Sequence, residues 1–170
     1  MVNVYFGAGL FERWNAEYLA THCDGSWWRK AWKAAGSWIA FMRRLVTGSV
    51  ALLHVHIASD ASFWRKALFI VPARLLRVPY ILHMHGGDFS RFYSERCGPG
   101  AQRFLRGLYR DAHGVIALSE QWRAAIQGVI PGANVVVVPN PVEIPAWTPG
   151  LDGQTVLYLG VVKEAKGVYD

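Results

Sequence analysis

Leu53-His54-Val55-His56-Ile57 and Leu82-His83-Met84-His85-Gly86-Gly87-Asp88 are the two stretches that decide how this chain folds. Each is an apolar run carrying histidines two residues apart, and the second runs straight into a glycine pair and an aspartate. Such runs form the buried strands of an α/β sheet, whose carboxyl ends open onto the crevice where open sheets bind ligands. Glycines at that point let a ligand come close to the backbone. His54 and His56 share one face of their strand, because side chains alternate with a period of two. An enzyme site, or half of one, is therefore expected where these two strands end.

Working outward, the chain alternates. Residues 2–11 read as a short helical opening and Tyr18-Leu19-Ala20-Thr21 as a small strand. Apolar residues then recur at Trp28, Ala31, Trp32, Ala35, Ile39, Met42, Leu45 and Val46, which is helical spacing. A strand over 51–57, a helix over 62–76 and a strand over 80–84 follow. After a loop come a helix over 102–111, a strand over 114–118 and a helix that Ser119 caps and Pro131-Gly132 ends. Four valines, Val135 to Val138, read as a fully buried strand. Strands alternating with helices of this length give a parallel sheet with right-handed crossovers. Prolines and glycines crowd the stretch from Pro139 to Gly153, a linker composition. Thr155-Val156-Leu157-Tyr158-Leu159-Gly160 then opens a fresh strand, so the chain is expected to stop inside a second domain.

Composition narrows the classes. The 170 residues are about one domain's worth, and 52% hydrophobic content suffices for a core. No apolar run approaches the ~18 residues of a spanning helix, and the N-terminus does not read as a signal peptide. Two cysteines, Cys23 and Cys97, make neither a disulfide framework nor a metal cluster, so a reducing cytoplasm is expected. A net charge of +6 favours anionic partners. The basic residues are dispersed and form no helix-turn-helix or zinc pattern, so nucleic acid is not among the expected partners. In the helix from Trp27 to Val46 the apolar stripe carries Trp28 and Trp32, with Arg29, Lys33, Arg43 and Arg44 off it. The stripe can pack on the sheet, and such a helix can also lie on an anionic bilayer. Both hold together if the stripe faces in while Trp27, Trp38 and the arginines face out.

An ordered set of residues gives these elements a family look. It comprises His54-Val55-His56-Ile57-Ala58-Ser59, Trp64-Arg65-Lys66, His83-Met84-His85-Gly86-Gly87, Val115-Ile116-Ala117-Leu118-Ser119-Glu120, Val138-Pro139-Asn140-Pro141-Val142, and Leu159-Gly160 with Lys166-Gly167. It resembles the family 4 glycosyltransferases, two-domain enzymes of the GT-B fold. The resemblance implies an α/β, Rossmann-like parallel sheet flanked by helices, truncated at both ends. Residues 1–142 then form the acceptor-side N-terminal domain without its first strand, 143–154 the linker, and 155–170 the start of the nucleotide-sugar domain.

The resemblance also implies a function: transfer of a sugar from a nucleotide-sugar to a glycan or lipid-linked acceptor in polysaccharide or glycolipid biosynthesis. Anomeric configuration is retained, no cofactor or obligatory metal takes part, and the nucleotide-sugar is a co-substrate. His85 is the expected catalytic residue, hydrogen-bonding the donor sugar or the environment of the migrating proton. Gly86 and Gly87 admit the donor, with Gly160 and Lys166 at its phosphates. His54, His56, Asp88, Arg65, Glu120 and Asn140 are candidates for the acceptor site or cleft wall. Gly160 is followed by Val161, where the family places an arginine to the diphosphate, and its paired donor-domain glutamates do not occur here. The 170 residues alone are therefore expected to be inactive, poorly soluble, and cytoplasmic, with peripheral attachment at the inner face of the membrane admitted by the tryptophan helix.

The same residues permit plainer readings. Arg65 and Lys66 can be a solvated basic face, and Asp88 can cap the next segment. A metal-dependent hydrolase built on the two His-x-His pairs, with Asp88 and His113 in reserve, is one alternative, but no pair continues into the aspartate-histidine spacing of binuclear hydrolases. A non-catalytic domain that binds anionic lipid or a protein partner is the other.

Overall fold

The computed structural model describes residues 7–21, 23–86 and 89–141. The expected linker and second-domain start, with Gly160 and Lys166, lie outside the described residues, as do Gly87 and Asp88. Four parallel strands, β1 (Leu53–Ile57), β2 (Tyr80–Met84), β3 (Gly114–Ala117) and β4 (Val135–Val137), stand side by side in chain order. The α/β alternation thus yields the expected parallel sheet.

Six described helices connect and flank them. They are α1 (Leu10–Arg13), α2 (Trp27–Val46), α3 (Ala61–Leu75), α4 (Phe89–Arg91), α5 (Pro99–Arg110) and α6 (Glu120–Val129). None is long and apolar enough to cross a membrane. Ser119 caps α6 as its sequence predicts, its Oγ accepting from the Trp122 backbone N–H at 3.3 Å. Between β2 and α5, where a loop is expected, α4 runs into a π-helical turn, Phe92–Arg96.

The core lies on one face of the sheet. Val55, Ile57, Leu82, Met84, Val115 and Ala117 pack there against Phe63 and Ile70 of α3, Leu105 and Leu108 of α5 and Ile126 of α6. Period-two alternation turns the intervening residues to the other face: His54, His56, Ile81, His83, Ile116 and Val136. The valine strand is therefore not fully buried. Val136 is 51% exposed and Val138, just past the strand, 44%, because β4 is the last strand of the described sheet and only its core-facing side chains meet a helix.

Two further expectations are corrected. Residues 18–21 form no strand: the Ala20 carbonyl is taken by Ser37 Oγ at 2.7 Å, and the buried Thr21 Oγ1 accepts from Lys66 Nζ at 2.7 Å. Trp28 and Trp32 do not face inward. They are 59% and 76% exposed, while Ser37, Phe41 and Leu45 are the buried residues of α2. The second half of α2 packs on α3, where Phe41 and Leu45 join Phe69 and Ala73 in a separate small core.

The two helices are joined by a hydrogen bond that the proline at position 72 makes available. Pro72 lies inside α3 and has no N–H for the carbonyl four residues before it. That carbonyl, of Leu68, accepts instead from Trp38 Nε1 at 3.1 Å.

Candidate active site at the ends of the histidine strands

In the parallel pairing of β1 with β2, His56 stands opposite His83 and Ile57 opposite Met84. The ladder continues one step beyond β2, where the His85 backbone N–H donates to the Ile57 carbonyl at 2.8 Å. Register alone therefore gathers four imidazoles. His54 and His56 stack at 4.8 Å between ring centroids, His56 and His83 at 5.0 Å, and His56 and His85 at 4.9 Å. Two hydrogen bonds link the strands: His54 Nε2 to His83 Nδ1 at 3.2 Å, and His56 Nδ1 to His85 Nε2 at 2.7 Å. In each, one imidazole N–H donates to the bare nitrogen of the other, which couples the tautomers of the two rings.

Such a pair needs the accepting ring to be neutral, and the surroundings favour the neutral form of all four. Burial, with the neighbouring His54, His83 and His85, holds the His56 imidazole down to about 3. Burial, with His85 and His54, holds His83 down to about 4. Burial lowers His54 as well, and burial together with His54 lowers His85. Taking an imidazolium out of water costs free energy, and a second positive ring alongside adds repulsion. At neutral pH the cluster is an uncharged set of donors and acceptors. The site can thus hold and orient hydroxyls and can take up or release a proton.

Other predicted residues arrive unequally. Gly86 ends the second histidine stretch, where a Cβ would sit 3.4 Å from Ala58 Cβ and from Ser59 N. It brings the end of β2 against the turn that follows β1. Arg65, in the second turn of α3, is half-buried, with its Nε enclosed and without a hydrogen-bond partner. Its neighbour Lys66 is not on a solvated face: it is bonded to Thr21 and held down to about 8, mainly by burial and next by Arg65. Glu120 is exposed in the first turn of α6 and pairs with Arg123 at 2.6 Å. Asn140 is exposed beyond β4. His113 does not join the histidine cluster: it lies at the opposite end of the sheet, before β3, where its backbone N–H donates to the Tyr80 carbonyl.

Three features of this end escape sequence reading. The π-helical turn carries Arg96 to Asp60, at 2.5 Å, tying the turn to the segment after β1. Asp60, which leads into α3, has a backbone φ of 59° and ψ of −132°, a positive-φ conformation that favours glycine. Finally, three buried side-chain atoms among the described residues lack a hydrogen-bond partner: Ser59 Oγ, Arg65 Nε and His83 Nε2. All three belong to β1, β2 or the segments that follow β1. Buried polar atoms are nearly always paired, so these three are the exceptions among the described residues.

The only metal-competent group of three among the described residues is His54, His56 and His83, one nitrogen of each lying within 4.8 Å of the others. Comparison with curated proteins and with solved structures finds no match. The model of Glycosyltransferase Family 4 matches residues 10–144, which contain every described strand and all four clustered histidines. The α/β sheet and the match over most of its length make this chain a member of glycosyltransferase family 4.

Proposed function

We propose that the chain provides the acceptor-side wall of an enzyme that moves a sugar from a nucleotide-sugar to a glycan or a lipid-linked acceptor. In such a reaction a new bond forms between the acceptor oxygen and the anomeric carbon. The bond from that carbon to the diphosphate breaks, and the acceptor's proton leaves. Retention of configuration, and a place in polysaccharide or glycolipid assembly, belong to the same proposal. The observation that carries it is the His56–His85 pair at the carboxyl ends of β1 and β2, neutral and hydrogen-bonded at 2.7 Å. A neutral imidazole can donate to a sugar hydroxyl from one nitrogen while the other is fixed by its neighbour. Gly86, Gly87, Gly160 and Lys166 are assigned to the donor on the family resemblance, and Arg65 to an acidic acceptor.

The proposal places the chain on the cytoplasmic face of a membrane. Trp27, Trp28 and Trp32 are exposed, with Arg29 and Lys30 between them and Lys33 directly after, in a helix without acidic residues. Exposed tryptophans interleaved with cations suit the interface of an anionic bilayer.

Imidazole NMR of the whole chain tests the assignment, with nucleoside diphosphate sugars and free or lipid-linked glycans titrated in turn. The expected result is binding that shifts the His56 and His85 resonances and weakens about ten-fold in His85→Ala, the loss of one hydrogen bond. Saccharide binding that leaves all four histidines unmoved, or no binding across the panel, overturns it.

A further inference from the structure

The proposed sugar transfer uses two imidazoles at the strand ends, His56 and His85. This chain has four, and the third and fourth extend back along β1 and β2, away from the crevice. His54 lies three residues before the end of β1, and His83 is 97% buried. Their arrangement has a chemistry of its own. His54 and His56 are two apart on one strand face, and His83 stands in register with His56 on the adjacent strand. That is a triangle of imidazoles on a rigid backbone, with one nitrogen from each ring within 4.8 Å of the others.

From this geometry we infer that His54, His56 and His83 bind a single divalent transition-metal ion of the zinc class. Three histidines with a fourth position left to water or an anion is a known zinc ligand set. Ligand nitrogens at 2.0–2.1 Å from a zinc ion stand roughly 3.3 Å apart, and His54 Nε2 and His83 Nδ1 are already at 3.2 Å. The rings are stacked 8° to 27° from parallel. Ligation turns them so that their lone pairs converge, about the Cβ–Cγ torsion, which is soft in histidine. His85 is left outside the triangle, hydrogen-bonded through Nε2 to His56 Nδ1. That is the outer-shell contact that fixes the tautomer and orientation of a ligating histidine.

The donor set also selects the ion. All three ligands are imidazoles, which suit zinc, cobalt, nickel and copper. Among the described residues no carboxylate joins the group, and an all-imidazole set disfavours the hard, oxygen-seeking magnesium and calcium ions. Because all three donors are neutral, a bound dication keeps its full charge and draws an anion or hydroxide into the fourth position. The inference does not depend on sugar transfer, and its test reads no transfer.

The experiment titrates the metal-stripped 170-residue chain with Co²⁺, reading the visible absorption of a low-symmetry cobalt–imidazole site, followed by displacement with Zn²⁺. One equivalent of Co²⁺ per chain is expected, displaced by Zn²⁺ and untouched by excess Mg²⁺. Loss of an outer-shell partner costs metal sites ten- to a hundred-fold in affinity. His85→Gln is therefore expected to weaken binding by about ten-fold, and removal of a ligand by at least as much. His54→Gln is the decisive variant, since His54 is exposed and its loss leaves the core intact. His56→Gln and His83→Gln follow, with folding checked by circular dichroism, and His113→Gln is the control at the far end of the sheet. No stoichiometric binding by the folded wild-type chain overturns the inference. Binding that survives in His54→Gln at wild-type affinity does so equally.

Discussion

His56 Nδ1 and His85 Nε2 lie 2.7 Å apart although the two residues come from different strands separated by a whole helix. The contact exists because β1 and β2 pair in parallel, with His56 opposite His83, and the ladder runs one residue beyond β2. A shift of register by one residue would turn every histidine of one strand into the apolar core. The core residues Val55, Ile57, Leu82 and Met84 forbid that shift.

Acid destabilises this arrangement. The unfolded imidazoles titrate at 6.5, while His56 and His83 in the fold are held down to about 3 and about 4. The unfolded chain therefore takes up protons first, so their contribution is full above pH 6.5 and lost as pH falls toward the folded values. Each histidine contributes a slope of up to about 1.4 kcal/mol per pH unit. Thermal melts in chelator-treated buffer should show a lower Tm at pH 5 than at pH 7, and His56→Gln should flatten the difference. An unchanged Tm across that interval would contradict the neutral cluster.

The Trp38–Leu68 hydrogen bond is a second testable contact. Trp38→Phe keeps the ring but removes the donor, leaving the Leu68 carbonyl beside Pro72 without its partner. A cost of about 1 kcal/mol is expected in urea unfolding. The double variant Trp38→Phe with Pro72→Ala should recover part of it, because an alanine N–H restores the intrahelical donor.

The two faces of the sheet should respond differently to truncation. Leu82 is fully buried in the main core, and Leu82→Ala should cost about 2–5 kcal/mol. Val136 is 51% exposed, and Val136→Ala should change stability by less than about 0.5 kcal/mol. Equal losses would mean that the second face is covered as tightly as the first.

Lys66 should titrate near 8 rather than at its ordinary value, since burial disfavours its charged form and Arg65 adds repulsion. The Lys66 side-chain NMR signal followed against pH gives the value directly. Arg65→Gln should raise it, and an unchanged titration in that variant would remove Arg65 from the account.

Sedimentation with vesicles addresses the tryptophan helix. The chain is expected to pellet with anionic vesicles, to remain free of zwitterionic ones, and to lose binding as salt screens the cations. Trp28→Ala with Trp32→Ala should weaken the association without loss of stability, because both side chains are exposed. Equal binding to both vesicle types would count against the charge component.

Much of this protein was legible in its residues. The alternating apolar runs determined the α/β class, because strand and helix periods differ and each run carries its own. β2 at Tyr80–Met84 and the Ser119 cap fall where local chemistry places them. The two histidine strands, too, were legible as strands in their alternation. Tertiary structure decided the rest. A period of two says that His54 and His56 share a face, but only the pairing of two strands says that His83 lies beside them. Helical spacing placed Trp28 and Trp32 on the apolar stripe of α2, yet the packing partner, α3, reaches only its second half. The π-helical turn and the Arg96–Asp60 bridge had no local signal. Local sequence fixes which face of an element is apolar; what lies opposite that face is a property of the whole chain's packing.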